Sequence, residues 1–524
     1  MGEREPVPVI DLFAGPGGLG EGFTALQTSD SRSCFRVRLS IEKDAHAHQT
    51  LLLRAFYRQF SPGRVPSLYY DVLRGTCDVK ALFKKFPEHA EKATNEAWHA
   101  ELGVTQHSDV RARIKTALNL SAEWVLIGGP PCQAYSVAGR SRNKGVEGYE
   151  PDKDKRQYLY AEYLEIIADH WPAVFVMENV KGLLSATVLE RKMFELIRED
   201  LSNPAKAVRS RSNTRSHTYT ILSVAHRDDL FDGVDVGDFV VQAERFGIPQ
   251  ARHRLILVGI RNDLGEFENS TKFSLRPSDE TPAKRVLDRL PAVRSGLSRG
   301  NDGDQAWLDA IRDARERRWV KTAKTLAGDD VQNLIVETID SLELPKHGRG
   351  AEFIAGDYKT SYEQDWFYDG KLEGICNHIT KEHMARDLHR YLYAACYASQ
   401  HGTSPRLKHF PADLLPEHKN VDKALNGHGY FADRFRVQLA GRPSTTITSH
   451  LAKDGHGFIH PDPKQCRSLT AREAARLQTF PDNYFFCGTR SVQCVQVGNA
   501  VPPVLARGIA KIVWSILKKS GLAD

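Results

Sequence analysis

Short apolar runs and longer amphipathic stretches alternate along the first 260 residues. Nearly continuous apolar runs, typical of strands buried on both faces of a parallel sheet, occur at residues 7–12, 35–41, 124–127 and 173–177. Residues 45–60 and 158–171 lie between such runs and have the periodicity of helices. This alternation predicts an α/β fold with a mostly parallel sheet.

A glycine-rich turn follows the first predicted strand. Residues 13–20 read Phe-Ala-Gly-Pro-Gly-Gly-Leu-Gly and lead into a helix predicted over 22–27. Glycines let the backbone approach a ligand closely. The spacing is not the Gly-x-Gly-x-x-Gly of dinucleotide sites, and no Gly-Lys-Ser/Thr follows, so a nucleoside without a phosphate chain fits best. Glu42 ends the second predicted strand and could accept hydrogen bonds from ribose hydroxyls; a solvated carboxylate is the alternative.

A second conspicuous turn follows the strand predicted at 124–127. It reads Gly-Gly-Pro-Pro-Cys-Gln and delivers Cys132 to the edge of the sheet where ligands bind in open α/β folds. A small buried thiol on a βα turn is the alternative. However, the strand predicted at 173–177 ends in Glu178, and packing alone does not explain two chemically reactive side chains at neighbouring strand ends. The pair favours a reactive site.

Further polar residues lie near predicted strand ends. Arg252 and Arg254 alternate, which places them on one strand face, where they need anionic or aromatic partners or solvent. Residues 69–72 are interpreted as another strand end whose carboxylate, Asp71, faces the same crevice. Residues 139–151 are polar and glycine-rich, which predicts a loop that could close over a substrate.

The regular alternation is lost between about residues 262 and 440. Aromatic and charged residues intermix there, with a helix predicted over 377–400. A capping box at Thr470 and a final amphipathic helix at 504–517 mark the return. The sequence predicts a catalytic domain formed by residues 1–261 and 441–524, with a smaller domain inserted at 262–440.

Composition narrows the class of protein. The chain has 524 residues, a formal net charge of +6 and eight cysteines, without a Cys-x-x-Cys pair. A disulfide framework or zinc ribbon is therefore not expected. His456, His460 and Cys466 lack a fourth ligand at a recognisable spacing, so no metal is predicted. The charged start and the absence of an apolar run of about 20 residues predict a cytoplasmic protein without a membrane segment.

Six segments together resemble the C5-cytosine-specific DNA methyltransferase family. They occur in the family's order, over about residues 7–260 and 442–515. The resemblance implies a Rossmann-like methyltransferase domain, S-adenosylmethionine as cofactor and a target-recognition domain at 262–440. The six segments are Asp-Leu-Phe-Ala-Gly-Pro-Gly-Gly at 11–18, Pro-Cys-Gln at 131–133, Glu-Asn-Val at 178–180, Gln-x-Arg-x-Arg at 250–254, Arg-Glu-Ala-Ala-Arg-Leu-Gln-x-Phe-Pro-Asp at 472–482 and Gly-Asn-x-Val-Pro-Pro at 498–503.

The resemblance also implies roles for single residues. Cys132 would attack C6 of a flipped cytosine as a thiolate, and Glu178 would hold the N3/N4 edge of the base. Arg254 would hold O2, with Arg252 supporting the site. The residues implied for the cofactor site are Phe13, Ala14, Gly15, Gly17, Gly18, Glu42, Asp71, Pro131, Asn499 and Val501.

The implied activity is methylation of cytosine C5 in a specific duplex DNA sequence, by a protein expected to act on DNA as a monomer. The expected role is modification in a restriction-modification system, with any nuclease on a separate polypeptide. The alternative on the same scaffold is an RNA (tRNA) cytosine-C5 methyltransferase, against which the large insertion argues. A non-catalytic DNA-binding relative would be expected to lack Cys132 or Glu178, and a nicotinamide oxidoreductase leaves Cys132, Glu178 and the arginines unexplained.

Overall fold

The computed structural model describes most of the chain. The described residues are 5–61, 63–131, 158–185, 187–188, 191–208, 217–225, 236–268, 271–417, 421, 425 and 432–524. Cys132 and the loop predicted at 139–151 lie outside them.

The strands and helices follow the alternation that the sequence predicts. The longer strands are β1 (Val7–Leu12), β2 (Phe35–Glu42), β3 (Ala97–His99), β4 (Val125–Gly128), β5 (Val174–Val180), β6 (Tyr219–Ser223), β7 (Val240–Gln242), β8 (His253–Arg261), β9 (Gly350–Ala355) and β10 (Gly374–Ile379). The helices of seven or more residues are α1 (Gly18–Thr24), α2 (Ala45–Tyr57), α3 (Ser67–Leu73), α4 (Val79–Lys85), α5 (Pro87–Glu96), α6 (His107–Leu118), α7 (Tyr158–His170), α8 (Met193–Ser202), α9 (Asp304–Arg312), α10 (Arg318–Ala327), α11 (Asp329–Asp340), α12 (Ala385–His401), α13 (Ala471–Leu477), α14 (Arg490–Asn499) and α15 (Pro503–Lys519).

A central sheet organises the first and last parts of the chain. Within the described residues it has eight strands in the order β3-β2-β1-β4-β5-β8-β6, with β7 also paired to β8. Strands β1 to β5 run parallel, whereas β8 is antiparallel to β5, β6 and β7. The predicted α/β fold with a mostly parallel sheet is confirmed. Because β1, β2, β4 and β5 run the same way, their carboxyl ends meet at one edge.

Both faces of the sheet are covered. Alternate residues of a strand point to opposite faces, and Ile127 of β4 packs in one core while Leu126 packs in the other. The first core holds α1 and the final helix, represented by Phe23 and Ile509. The second holds α6, α7 and α8. The final helix thus shares a core with the first strand, as the sequence predicts.

The final helices also account for the most apolar stretch of the described chain. By length and composition alone, Arg490–Lys519 is apolar enough to cross a membrane, contrary to the expectation that no stretch reaches that length. Pro502 and Pro503 separate it into α14 and α15. Within it, 67% of the apolar 18-residue window is buried inside the fold. The structure therefore places its apolar side chains in the core of the sheet domain.

Two predicted elements are wrong. Residues 69–72, interpreted as a strand end, belong to α3, and the third sheet position is filled by β3 instead. The helix predicted over 377–400 begins only at Ala385, because Gly374–Ile379 forms β10 and pairs with β9. The strand at 374–379 exists through pairing with a distant strand, whereas the four residues at 69–72 are too few to show a periodicity.

The region predicted as an insertion packs around a separate core, which Ile459 and Cys466 from beyond residue 440 also enter. Residues of α9 to α12 pack together with Phe410 and Phe435. The start of the region packs elsewhere, since Phe267, Phe273 and Leu275 lie in the first core of the sheet domain. The boundaries at 262 and 440 stay predictions.

A buried polar network joins the inserted region to α13. His378 is fully buried, and its Nε2 donates to the carbonyl of Pro291 at 3.0 Å while its Nδ1 contacts the Thr470 hydroxyl at 2.9 Å. Thr470 caps α13 by accepting from the amide of Glu473, and the Glu473 side chain pairs with buried Arg467. Neutral histidine satisfies both contacts, and burial lowers the pKa of His378 to about 4.

We expect His378 to make folding stability depend on pH. In the unfolded chain a histidine has a pKa near 6.5, so between pH 6.5 and 4 the unfolded state binds the additional proton. The contribution is therefore fully present above pH 6.5 and is lost as the pH falls towards 4. In urea unfolding at pH 7, 6 and 5, His378→Gln should reduce this slope by up to about 1.4 kcal/mol per pH unit. Substituting exposed His46 should leave the slope unchanged, and an unchanged slope in His378→Gln would contradict the expectation.

Close packing of α1 on α15 gives a second prediction. A Cβ on Gly22 would lie 2.6 Å from the Arg507 amide nitrogen and 2.5 Å from the Ala506 Cβ. Alanine normally stabilises a helix relative to glycine by about 1 kcal/mol, but overpacking costs about 1–3 kcal/mol. Gly22→Ala should therefore lower the thermal unfolding midpoint. Gly441→Ala, where the Cβ meets nothing within 4 Å, is the control, and an equal midpoint for both variants would disprove the packing argument.

Candidate active site

A cavity of about 660 Å³ lies at the carboxyl edge of the sheet. It is bounded by the ends of β1, β2, β4 and β5, by the residues after β3, and by the turn between α14 and α15. The predicted site residues that line it are Phe13, Ala14, Gly15, Gly18, Glu42, Pro131, Glu178, Arg252, Arg254, Asn499 and Val501. Residues separated by almost 500 positions are thus brought to one cavity.

The glycine turn and Glu42 form one part of the cavity wall. Glu42 Oε2 accepts the Gly15 amide at 2.8 Å, and Oε1 accepts the Asp44 amide at 2.7 Å. Burial raises the pKa of Glu42. A Cβ on Gly15 would meet nothing within 4 Å, so the backbone here faces open space. The carboxylate is held in a fixed orientation, and its remaining lone pairs are free for a ligand.

The next two glycines are closely packed, and one of them, Gly18, also lines the cavity. Gly17 has a φ of 94° and begins α1; a Cβ there would lie 2.7 Å from Leu51 Cδ2 and 2.9 Å from the Tyr484 hydroxyl. Gly17 does not line the cavity. Gly18 lies against the backbone of Val501, with no room for a Cβ. The turn is therefore fixed against the C-terminal segment.

Asp11 is a site residue that sequence reasoning missed as an individual group. It lies near the end of β1, is 1% exposed and lines the cavity. Neither carboxylate oxygen has a hydrogen-bond partner among the described residues. Burial raises the pKa of Asp11 to about 8; the Arg58 charge opposes that rise and the Glu42 charge adds to it. Buried polar groups normally have hydrogen-bond partners, so Asp11 is an exception within the described fold. The signal in the sequence that could have revealed Asp11 is a polar residue within the apolar run at 7–12.

Glu178 and Arg254 form the second part of the cavity wall. Arg254 Nε lies 2.9 Å from Glu178 Oε1, and both side chains are only 13–14% exposed. A Cβ on Gly129 would lie 2.9 Å from Glu178 Oε2, so this glycine gives the carboxylate its space. Asn179 donates to the carbonyl of Pro130 at 3.2 Å, which fixes the turn leading to Cys132. Cys132 itself lies outside the described residues.

Arg252 is fully buried and binds backbone carbonyls of two other segments next to the cavity. Its Nη1 donates to the carbonyls of Ile447 at 3.0 Å and Gly498 at 3.3 Å. Burial and the neighbouring Arg254 charge lower its pKa well below the ordinary arginine value. One guanidinium thus ties β8 to two distant segments of the chain and places a buried cation at the cavity wall.

The late helix α13 is structural. Fully buried Arg472 donates to the carbonyls of Cys376 at 2.8 Å and Pro481 at 3.1 Å. Gln478 donates to the carbonyl of Val497 at 2.8 Å. The Gln478 bond holds the segment that carries Asn499 and Val501, and the Arg472 bonds fix the helix itself to β10 and to Pro481.

Besides Gly17, Asp71 is a predicted cofactor residue that the structure does not bring to the cavity. It lies on α3 and pairs with Arg74 at 3.1 Å. The part of the cavity wall that was expected to contain Asp71 is formed instead by Ala100, Glu101 and Leu102, directly after β3. Sequence reasoning missed them because β3 has only three residues, which leaves no readable periodicity.

The three residues considered for zinc are engaged in other contacts. His456 Nδ1 contacts the Tyr391 hydroxyl at 2.8 Å, His460 Nδ1 accepts the Asp462 amide at 3.1 Å, and Cys466 Sγ lies 3.1 Å from the carbonyl of Pro463. Their environment is that of buried structural side chains.

Comparison with known proteins relates this geometry to a family. The family model for the C-5 cytosine-specific DNA methylase matches residues 88–203 and 235–514. The chain is 31% identical to type II methyltransferase M.Bpa9945I of Bacillus paralicheniformis over 97% of this chain and 99% of that protein. It is 26% identical to DNA (cytosine-5-)-methyltransferase M.ApeKI of Aeropyrum pernix over 80% and 87% of the two chains.

A solved structure has a similar fold. It is the crystal structure of a protein described as a DNA modification methyltransferase encoded within an E. coli prophage, with a TM-score of 0.51 and 18% identity. The similarity covers 98% of this chain and 99% of that chain.

Proposed function

The chain belongs to the C-5 cytosine-specific DNA methylase family, and from this premise we propose that it methylates C5 of a cytosine flipped out of duplex DNA, through a covalent bond between Cys132 and C6. The observation that carries the proposal is the Glu178–Arg254 pair, which faces the same cavity as Glu42 and Gly15. The cavity wall reaches Pro131, one residue before Cys132.

The residues of the first wall fit S-adenosylmethionine. Glu42 suits ribose hydroxyls because its carboxylate is already oriented by two backbone amides. The open face of Gly15 admits a ligand close to the backbone. When bound, S-adenosylmethionine supplies an electrophilic methyl group.

The second wall fits the cytosine. Cytosine C5 is a poor nucleophile until a thiolate adds to C6, which moves the C5–C6 π electrons towards C5 and N3. Cys132 would form the bond to C6, and C5 would then take the methyl group. Loss of the C5 proton and elimination of Cys132 restore the double bond and the thiolate. The bond between the Cys132 sulfur and C6 is therefore formed and broken once in each catalytic cycle.

Glu178 and Arg254 would orient the base during these steps. A carboxyl group at the N3/N4 edge accepts from the amino group and, when protonated, donates to N3 as electron density builds there. Arg254 would donate to O2. Because Arg254 also contacts Glu178, the two side chains hold each other in place before the base arrives.

The substrate is proposed to be duplex DNA rather than RNA. The most informative relatives are named a type II methyltransferase and a DNA (cytosine-5-)-methyltransferase. We infer modification in a restriction-modification system, with a cognate endonuclease on a separate polypeptide and a cytoplasmic enzyme that acts as a monomer on DNA. Flipping the cytosine costs a few kcal/mol, which contacts from the 262–440 region would offset.

Replacing the proposed nucleophile gives a direct test. Cys132→Ala should reduce methyl transfer to duplex DNA by about 10⁴-fold or more, because no thiolate can then activate C5. Binding of S-adenosylmethionine, measured by calorimetry, should stay within about twofold. Cys77→Ala changes a cysteine outside the cavity and serves as the control.

The covalent step can be trapped in the same proteins. On DNA containing 5-fluorocytosine, fluorine at C5 blocks the final elimination. The unsubstituted enzyme and Cys77→Ala should form an adduct that survives denaturation, whereas Cys132→Ala should not. Turnover by Cys132→Ala, or an adduct at another residue, would refute the covalent mechanism.

A second test separates the two carboxylates that the sequence assigns to the cofactor. Glu42→Gln places an amide NH₂ against a backbone N–H and weakens a charged acceptor, worth about 1.5–3 kcal/mol. The Kd for S-adenosylmethionine should therefore rise about tenfold or more. Asp71→Asn should change the Kd less than about twofold, because Asp71 does not line the cavity. The opposite ranking would show that the cofactor binds elsewhere.

A further inference from the structure

A second cavity, of about 520 Å³, adjoins the active-site cavity. Ala251 lines the second cavity and the next residue, Arg252, lines the first. Likewise, Thr448 lines the second and Ala452 the first. A base flipped into the first cavity would therefore leave its neighbouring base pairs close to the mouth of the second.

Two arginines enter this second cavity from one short segment. Arg434 and Arg436 line it, while Phe435 between them is buried against Phe410 and His456, with ring centroids 5.3 and 4.8 Å away. Phe435 is thus anchored in the core, while the arginines on either side of it both face the cavity.

The backbone of this segment is fixed as well. The Arg436 amide donates to the carbonyl of His456 at 2.9 Å, and the Ile459 amide donates to the carbonyl of Arg436 at 2.9 Å. The arginines are thus presented from a rigid frame, which a precise recognition contact requires.

Each arginine has a carboxylate beside it. Arg434 lies 3.4 Å from Asp454, and Arg436 contacts Asp433. All four side chains line the cavity and are 32–54% exposed, although Arg434 Nε is itself buried. Two cations and two anions give this group of side chains no net charge.

This balance decides between two ligand chemistries. A DNA phosphate offers only acceptors and carries negative charge, so the two aspartates would repel it. A guanine–cytosine pair offers the acceptors O6 and N7 on guanine and an amino donor on cytosine N4 at the same groove edge. An arginine beside a carboxylate matches that pattern, because the guanidinium donates to the guanine acceptors and the carboxylate accepts from the cytosine amino group.

We propose that the second cavity reads guanine–cytosine pairs beside the target cytosine, with Arg434 and Arg436 donating to guanine O6 and N7 and with Asp454 and Asp433 accepting from cytosine N4. This specificity role rests on the proposed methylation of duplex DNA. The arginines set which sequence is methylated, whereas the first cavity performs the chemistry.

The test is the recognition sequence of variant enzymes. The full-length protein is incubated with S-adenosylmethionine and a randomised duplex library, and methylated cytosines are located by bisulfite sequencing. Arg434→Gln and Arg436→Gln should each lose the requirement for guanine at one position by about tenfold or more and admit adenine there, because glutamine pairs with adenine N6 and N7. Arg315→Gln changes an arginine of similar exposure outside both cavities and should keep the original sequence.

Each other outcome has a definite meaning. An unchanged recognition sequence in both variants overturns the proposal. A uniform loss of binding, with the salt dependence reduced by about one phosphate contact, would assign the arginines to the DNA backbone and also overturn it. If the unsubstituted protein methylates no DNA cytosine, the proposed function fails instead. Binding of S-adenosylmethionine by each variant verifies that the variant is folded. Asp454→Asn changes the partner of Arg434 and so tests recognition of the same base pair independently.

Discussion

The close approach of the glycine turn to the C-terminal segment is the constraint on which the site depends. Gly18 lies against the backbone of Val501, and Gly22 lies against the start of α15, with no room for side chains. This contact joins the first strand to the last helix and closes the cavity between them. Without it, Glu42 and Asn499 would not face the same space, because nothing in the chain order keeps them together.

Buried guanidinium groups hold the remaining walls in place. Arg252 and Arg472 donate mainly to backbone carbonyls of distant segments rather than to carboxylates. A guanidinium carries five N–H donors in a rigid plane, so one side chain can fix several loops at once. The conspicuous arginines of the family segments therefore divide into two groups. Arg252 and Arg472 build the frame, and Arg254 is left facing Glu178 inside the cavity.

In this proposal the two adjoining cavities have different roles: the first carries out methyl transfer, and the second recognises the DNA sequence. The first has the properties of a reaction site, since it combines buried carboxyl groups, a turn leading to a thiol and a fixed ion pair. The second presents exposed, paired charges on a rigid segment, which suits reversible reading of base edges. Arg252 lines the first cavity and the neighbouring residue Ala251 lines the second, so the site of methyl transfer and the site of base recognition lie side by side in the fold.

The sequence by itself determined the elements whose signal is local. The first strand, Glu42 at the end of β2, Glu178 near the end of β5 and the capping box at Thr470 were all readable, because apolar runs and capping patterns reflect burial along one short segment. Tertiary structure alone decided that Asp71 lies on a helix away from the cavity, that residues after β3 replace it, and that Asp11 is a buried carboxyl without partners. A three-residue strand exists only because β2 offers it an edge, and a carboxyl's pKa depends on everything packed around it. Neither property is contained in the residues next to it in the chain.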